Sequence, residues 1–228
     1  MQVKVKNVNF SYKKEQILAD LSCTFCSGKI NYLIGYNGSG KTTLFDLISG
    51  ARVPSSGTIS GRPNAKEVLY QTQNPVVFGA LTGRNLQEFI FGVATGHSKI
   101  EIDKLSPHFC ELYQKLLERK VSDMSVGERR WFVLFLESYL EKKLFLLDEP
   151  TSGVDPVSRK QILTSISALA SDPQKIIIVT THDLKNLDSN CYIHLLKDKK
   201  MTTFNSYADF VAISDKQEIE DAFAILNS

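Results

Sequence analysis

The chain has 228 residues, 43% hydrophobic and 23% charged, a balance that permits a sizeable buried core and excludes a fibrous or disordered chain. The formal net charge of +2 supplies no basic field for nucleic acid, and groups such as Lys197-Asp198-Lys199-Lys200 read as solvated turns. The opening Met1-Gln2-Val3-Lys4-Val5-Lys6 has no apolar signal core, and no stretch reaches the ~18 to 20 apolar residues that span a bilayer, so a protein soluble by itself is expected.

Residues 2 to 10 alternate, with Val3, Val5, Val8 and Phe10 separated by polar residues, which predicts edge strands with a turn near Lys6-Asn7. Tyr12 follows in Phe10-Ser11-Tyr12, an aromatic close to a turn that strand packing alone would explain. Leu18 to Phe25 is a further strand, and Ser27-Gly28-Lys29 turns it into a buried strand, Ile30 to Ile34. Cys23-Thr24-Phe25-Cys26 lies in this apolar run. With Cys110 and Cys191 distant, no second close pair completes a tetrahedral zinc set, so reduced cytosolic thiols are expected.

The strand runs into Gly35-Tyr36-Asn37-Gly38-Ser39-Gly40-Lys41-Thr42, followed by Thr43 and a helix-like Thr42 to Ser49. Gly, four residues, Gly, Lys and Ser or Thr, between a strand and a helix, is the phosphate-loop pattern in its required context. The glycines let the backbone come close to a polyphosphate, so that successive N–H groups and the positive end of the helix point at the anion. Lys41 adds a mobile charge for the β- and γ-phosphates, and the Thr42 hydroxyl suits a Mg²⁺ ion.

Gly50 is placed to end this helix, Pro54 to Gly57 form a loop, and Thr58 to Ser60 a strand. A strand over Glu67 to Gln71 leads to Gln73 and is ended by Pro75. From Thr82 to Lys120 the period becomes helical, with Leu86, Phe89, Ile90 and Val93 on one helix and Leu105, Phe109, Leu112, Leu116 and Leu117 on another. Ser122 to Glu128 opens a helix reaching about Tyr139, with Ser125 and Glu128 spaced as a capping box. Lys143 to Asp148 is a short apolar run closing in Asp148-Glu149. In a parallel sheet such a strand is buried on both faces and its C-terminal end meets the ligand crevice. Asp155-Pro156 starts a helix to about Ala170, Lys175 to Thr180 is the next buried strand, and His182 falls at the same sheet edge as the two carboxylates. Cys191 to Leu196 and Met201 to Phe204 pair as a hairpin, and short helices follow from Tyr207.

Over nearly all its length the chain resembles the ATP-binding subunit of ABC transporters. Gly35 to Thr42 matches that family's Walker A motif, Leu144 to Asp148 with Glu149 its Walker B motif and catalytic glutamate, Gln73 its Q-loop, Met124 to Glu128 its signature, Ser152 to Asp155 its D-loop and His182 its switch histidine. The resemblance implies an α/β fold: a RecA-like P-loop NTPase core with an N-terminal antiparallel β subdomain and an inserted helical subdomain. The whole of residues 1–228 would be one ATPase domain, with 1–80 and 143–228 as core and 81–142 as the helical part. It implies ATP and Mg²⁺ as cofactors, with Tyr12 stacking on adenine, Thr42, Gln73 and Asp148 around the metal, Glu149 as general base and His182 on the γ-phosphate. The usual signature is Leu-Ser-Gly-Gly-Gln; here Met124-Ser125-Val126-Gly127-Glu128 keeps Ser125 and Gly127 but changes Val126 and Glu128. That motif is expected to act in trans on nucleotide held by a second copy or by a homologous ATPase subunit, head to tail.

Two functional classes follow. One is the motor of a transporter whose membrane subunits are separate chains and dock near the Gln73 loop and the stretch from Pro75 to Leu86, where Val76, Val77 and Phe78 fit a partner site or a core. The protein would then sit on the cytoplasmic face of the membrane and bind no nucleic acid. The other is a non-transport ATPase of the same superfamily, acting in DNA repair or translation, for which the segment from Thr82 to Lys120 is too short to hold a coiled coil or second cassette. A P-loop kinase or GTPase would leave Met124 to Glu128 and His182 without a task.

Overall fold

In a computed structural model the described residues are 1–73, 78–94, 96–102, 105–214 and 218–227. The strand-ending Pro75 and the pair Val76-Val77 lie outside them. The chain forms two compact units, one of Met1–Gln73, Lys143–Pro150 and Ser167–Ser228, the other of Asn74–Lys142 and Thr151–Ile166.

The first unit contains two sheets. In the smaller, β1 (Gln2–Tyr12) lies antiparallel between β2 (Glu15–Cys26) and β4 (Ser56–Ser60). The turn expected near Lys6-Asn7 is not formed. The strand continues, Asn7 takes φ 50°, and the pairing register shifts between Val5 and Val8. The reason is parity. Val5 and Val8 are an odd number of residues apart and both are buried, so one extra residue must bulge out to return Val8 to the inner face. The Asn7 N–H, taken out of the ladder by the bulge, donates to Ser22 Oγ at 2.9 Å, and the Asn7 side-chain amide donates to Asp20 Oδ1 at 2.6 Å.

The larger sheet comprises β3 (Ile30–Ile34), β5 (Val68–Gln71), β6 (Leu144–Asp148), β7 (Ile176–Thr180), β8 (Cys191–Lys197) and β9 (Lys200–Phe204), in the order β5-β6-β7-β3-β8-β9. All neighbours are parallel except β9, which returns antiparallel to β8. Every residue of β3, β6 and β7 is buried, as a parallel sheet covered on both faces requires. α1 (Lys41–Ser49) follows β3 and ends at Gly50, φ 87°, whose N–H returns to the Leu47 carbonyl, as its position predicts. Leu44, Phe45, Leu47 and Ile48 of α1 share one core with Val3, Leu21 and Phe25 of the small sheet and Leu33, Leu146 and Ile178 of the large one. α6 (Tyr207–Val211) and α7 (Ile219–Asn227) complete this unit.

The second unit is helical: α2 (Gly83–Val93), α3 (Pro107–Glu118) and α4 (Val126–Ser138), with the start of α5 (Pro156–Ala170), which continues into the first unit. Its core is aromatic. Trp131 stacks on Phe135 at 5.3 Å, and Tyr113 meets Phe135 edge-on at 5.4 Å. Among the described residues no helix is long and apolar enough to cross a membrane. The four cysteines are free, and burial pushes the Cys23 and Cys191 thiols up to about 12, far from a reactive thiolate.

Candidate functional site

The phosphate loop leaves β3 at Gly35, where a side chain is impossible: a Cβ would stand 2.4 Å from the Leu196 carbonyl oxygen. Gly40, φ 106°, caps α1 without any side-chain bond to the first-turn amides, and no acidic residue lies in that turn. The N-terminal N–H groups and their partial positive charge are therefore left for an anion. The Lys41 ammonium, largely buried, donates to the carbonyls of Gly35 at 2.8 Å and Tyr36 at 3.0 Å. Burial draws its pKa below the usual lysine range, against the pull of Glu149 and Asp148.

The carboxylates stand at the C-terminal end of β6. Asp148 pairs in register with Thr180, the last residue of β7. Thr180 donates its hydroxyl to Asp148 Oδ1 at 2.5 Å and Thr42 donates to Oδ2 at 3.1 Å. The Glu149 N–H donates to the same Thr180 oxygen at 2.9 Å, and Glu149 itself sits at φ 48°, an unusual conformation for a long side chain. This turn aims its carboxylate between two donors: Gln73 Nε2 at 2.7 Å from Oε2 and His182 Nε2 at 2.7 Å from Oε1. Residues that end or follow β3, β5, β6 and β7 thus converge at one sheet edge.

At this edge lies a cleft of about 370 Å³, lined by Asn37, Gly38 and Gly40 to Thr43 with Ile17, Gln73, Asp148 and Glu149; His182 reaches it through Glu149. Tyr36 and Ser39 line instead a second recess of about 280 Å³ with Leu196, Lys197 and Asp198, and Tyr36 meets Phe223 of α7 edge-on at 5.4 Å. Tyr12 does not line the cleft. Its ring lies 4.8 Å from the Arg52 guanidinium, which Asp46 holds at 3.1 Å.

In the second unit the signature residues begin α4. Ser125 Oγ accepts from the Glu128 N–H at 3.1 Å and Glu128 Oε2 from the Ser125 N–H at 2.8 Å, the capping box that the spacing predicts. Val126 is exposed. A Cβ on Gly127 would stand 2.7 Å from Asp155 Oδ2 and 2.8 Å from Ser158 Oγ, so only glycine lets the starts of α4 and α5 approach. Asp155 caps α5, accepting from the N–H groups of Val157 and Ser158 at 3.0 Å each, and the Ser158 bonds hold its carboxyl below the usual range.

Sequence reasoning does not single out Thr180, Ile17 or Arg119. Thr180 is visible there only as the last residue of a strand. Its partnership with Asp148 depends on the register of two strands distant in the chain, which no local pattern carries.

The ABC transporter family pattern matches residues 18–152, more than half of the chain. The chain is 28% identical over 222 residues to the energy-coupling factor transporter ATP-binding protein EcfA1 of Thermotoga maritima, covering 92% of this chain and 84% of that protein. It is 28% identical over 210 residues to the ABC transporter ATP-binding protein YtrB of Bacillus subtilis, covering 88% and 70%. Among solved structures, an ATP-binding subunit of an ABC transporter superposes with a TM-score of 0.79 over 99% of both chains at 20% identity, which establishes the shared P-loop NTPase fold. The chain therefore belongs to the ABC transporter family, as one of its ATP-binding subunits.

Proposed function

We propose that this chain hydrolyses Mg²⁺-bound ATP, together with a second copy arranged head to tail, and that the cycle drives transport through separate membrane subunits. The observation that carries the reading is Glu149, held by Gln73 on one side and His182 on the other, next to Asp148 and Thr42. A carboxylate so oriented is placed to take a proton from water attacking the γ-phosphate, and His182 and Lys41 to hold the charge that develops there. Thr42 and Asp148 offer hydroxyl and carboxylate oxygens alone, a donor set suited to Mg²⁺, which keeps several waters and takes its remaining ligands from phosphate. Among the described residues no group of three His, Cys, Asp or Glu forms a self-sufficient metal cage. When bound, the ion neutralises phosphate charge.

Ser125 and Gly127 are assigned to the γ-phosphate of the other copy, Asp155 to the junction between copies and Tyr12 to the base. The domain organisation we propose is that of one ATPase domain over 1–228, with 81–142 as the helical part. Placement on the cytoplasmic face of a membrane follows from the transport role, with the membrane-spanning part assigned to separate subunits. The names of the relatives, both ATP-binding proteins of transporters, support a motor over a repair or translation ATPase. Glu149→Gln is expected to bind ATP as the parent does while turnover falls by about 100-fold or more, the lower range for general-base loss. Steady-state phosphate release and a nucleotide-binding titration check this; undiminished turnover would remove Glu149 from the role.

A further inference from the structure

Glu128 places a carboxylate in the first turn of α4, at the helix start assigned above to ATP held by a second copy. The related signature has a neutral glutamine there. Unpaired, this charge would oppose an approaching triphosphate and cancel part of the positive end of the helix. Its surroundings prevent that. Arg119, the residue after α3, donates from Nη1 to both Glu128 oxygens at 3.1 Å and gives a further N–H to the Asp123 carbonyl. The pair is half-buried, with the Arg119 side chain 31% exposed and that of Glu128 20%. Burial acts to raise the Glu128 carboxyl, but the Ser125 N–H and the charges of Arg119 and Lys115 together hold it below the ordinary range. Of the other nearby acids, Asp123 meets Arg119 through its backbone carbonyl, and Asp155, beside Gly127, is engaged by the N–H groups of Val157 and Ser158 that it caps.

The capping box uses the Ser125 oxygen as an acceptor from the Glu128 N–H, which leaves the hydroxyl hydrogen available for a phosphate oxygen. We propose that Arg119 is a positioning residue for ATP hydrolysis: by pairing with Glu128 it cancels the acidic charge in the first turn of the signature helix and locks the box that aims Ser125 at the γ-phosphate in the partner copy. This rests on the head-to-tail ATPase reading given above.

The test is a double-mutant cycle in steady-state ATP hydrolysis on the full chain, with Arg119→Ala, Glu128→Gln, the double variant and Ser125→Ala, at low and high salt. With Glu128 present, Arg119→Ala lowers kcat about tenfold at low salt, equivalent to one poorly screened charge, while the Kd for a fluorescent ATP analogue is unchanged. In the Glu128→Gln background, the same substitution changes kcat less than about twofold, because residue 128 then carries no charge for Arg119 to cancel. Relative to the parent, the loss shrinks at ~1 M salt, where the Debye length is about 3 Å. Arg119→Gln, which keeps a donor for the Asp123 carbonyl, gives the same cycle if the alanine variant does not fold. Equal losses in the parent and Glu128→Gln backgrounds, or no loss in either, overturn the proposal while Ser125→Ala still abolishes turnover. A parent rate untouched by Ser125→Ala overturns the head-to-tail reading itself and this proposal with it.

Discussion

Thr180 serves both carboxylate-bearing residues with one oxygen, donating to Asp148 and accepting from the Glu149 N–H. It is fully buried, so no water substitutes for it. Thr180→Val keeps the shape and removes both bonds; leaving buried polar groups unmatched costs about 1 to 3 kcal/mol. If that cost falls on the reacting geometry, turnover drops by roughly 5- to 150-fold, with Thr180→Ser close to the parent. Phosphate-release assays on the two variants check this, and equal rates would show that Asp148 needs no such brace. By contrast, Lys41, Thr42, Asp148 and Glu149 are legible from short motifs, and Gln73 and His182 only through the family resemblance. Their convergence is what the fold adds.

Among the elements, β3, β8 and β9 are tied by a buried polar chain within the large sheet. Asn31 gives its amide to the carbonyls of Cys26, Lys29 and Ile177, so its oxygen is the acceptor that faces His194 Nε2 at 3.3 Å, while Thr203 Oγ1 lies 3.0 Å from Nδ1. These contacts select the neutral imidazole with its proton on Nε2. Burial pushes the His194 pKa down to about 3 from an ordinary 6.5. The unfolded chain therefore binds a proton from about pH 6.5 downward and the folded chain does not, so stability falls as pH drops from 6.5 toward 3 and is unaffected by this group above that range. Unfolding midpoints of the parent should fall across that window, and those of His194→Gln more shallowly; parallel profiles would assign the acid sensitivity elsewhere. In the sequence this histidine is only part of a hairpin strand, since nothing local marks it as buried. The β1 bulge departs from the expected turn for a similar reason: a break in alternation fits a turn as well as a bulge, and only the partner strand decides.

At the scale of the whole molecule, the proposed cycle needs a second copy, because the phosphate loop and the signature are assigned to opposite partners. Glu149→Gln with Mg²⁺ and ATP is expected to sediment as a dimer, and as a monomer without nucleotide or when Ser125→Ala is added. A nucleotide-independent monomer in every condition would reject the head-to-tail arrangement. The order of residues alone disclosed the phosphate loop, the paired carboxylates, the capping box and the alternation of buried strands, because each rests on contiguous backbone geometry or on helical and strand periods. Only the tertiary structure decided that Thr180 bonds to both Asp148 and Glu149, that Arg119 pairs with Glu128 and that Asn7 bulges rather than turns. Those outcomes depend on which distant segments come into register, and burial of apolar faces across the entire chain sets that register.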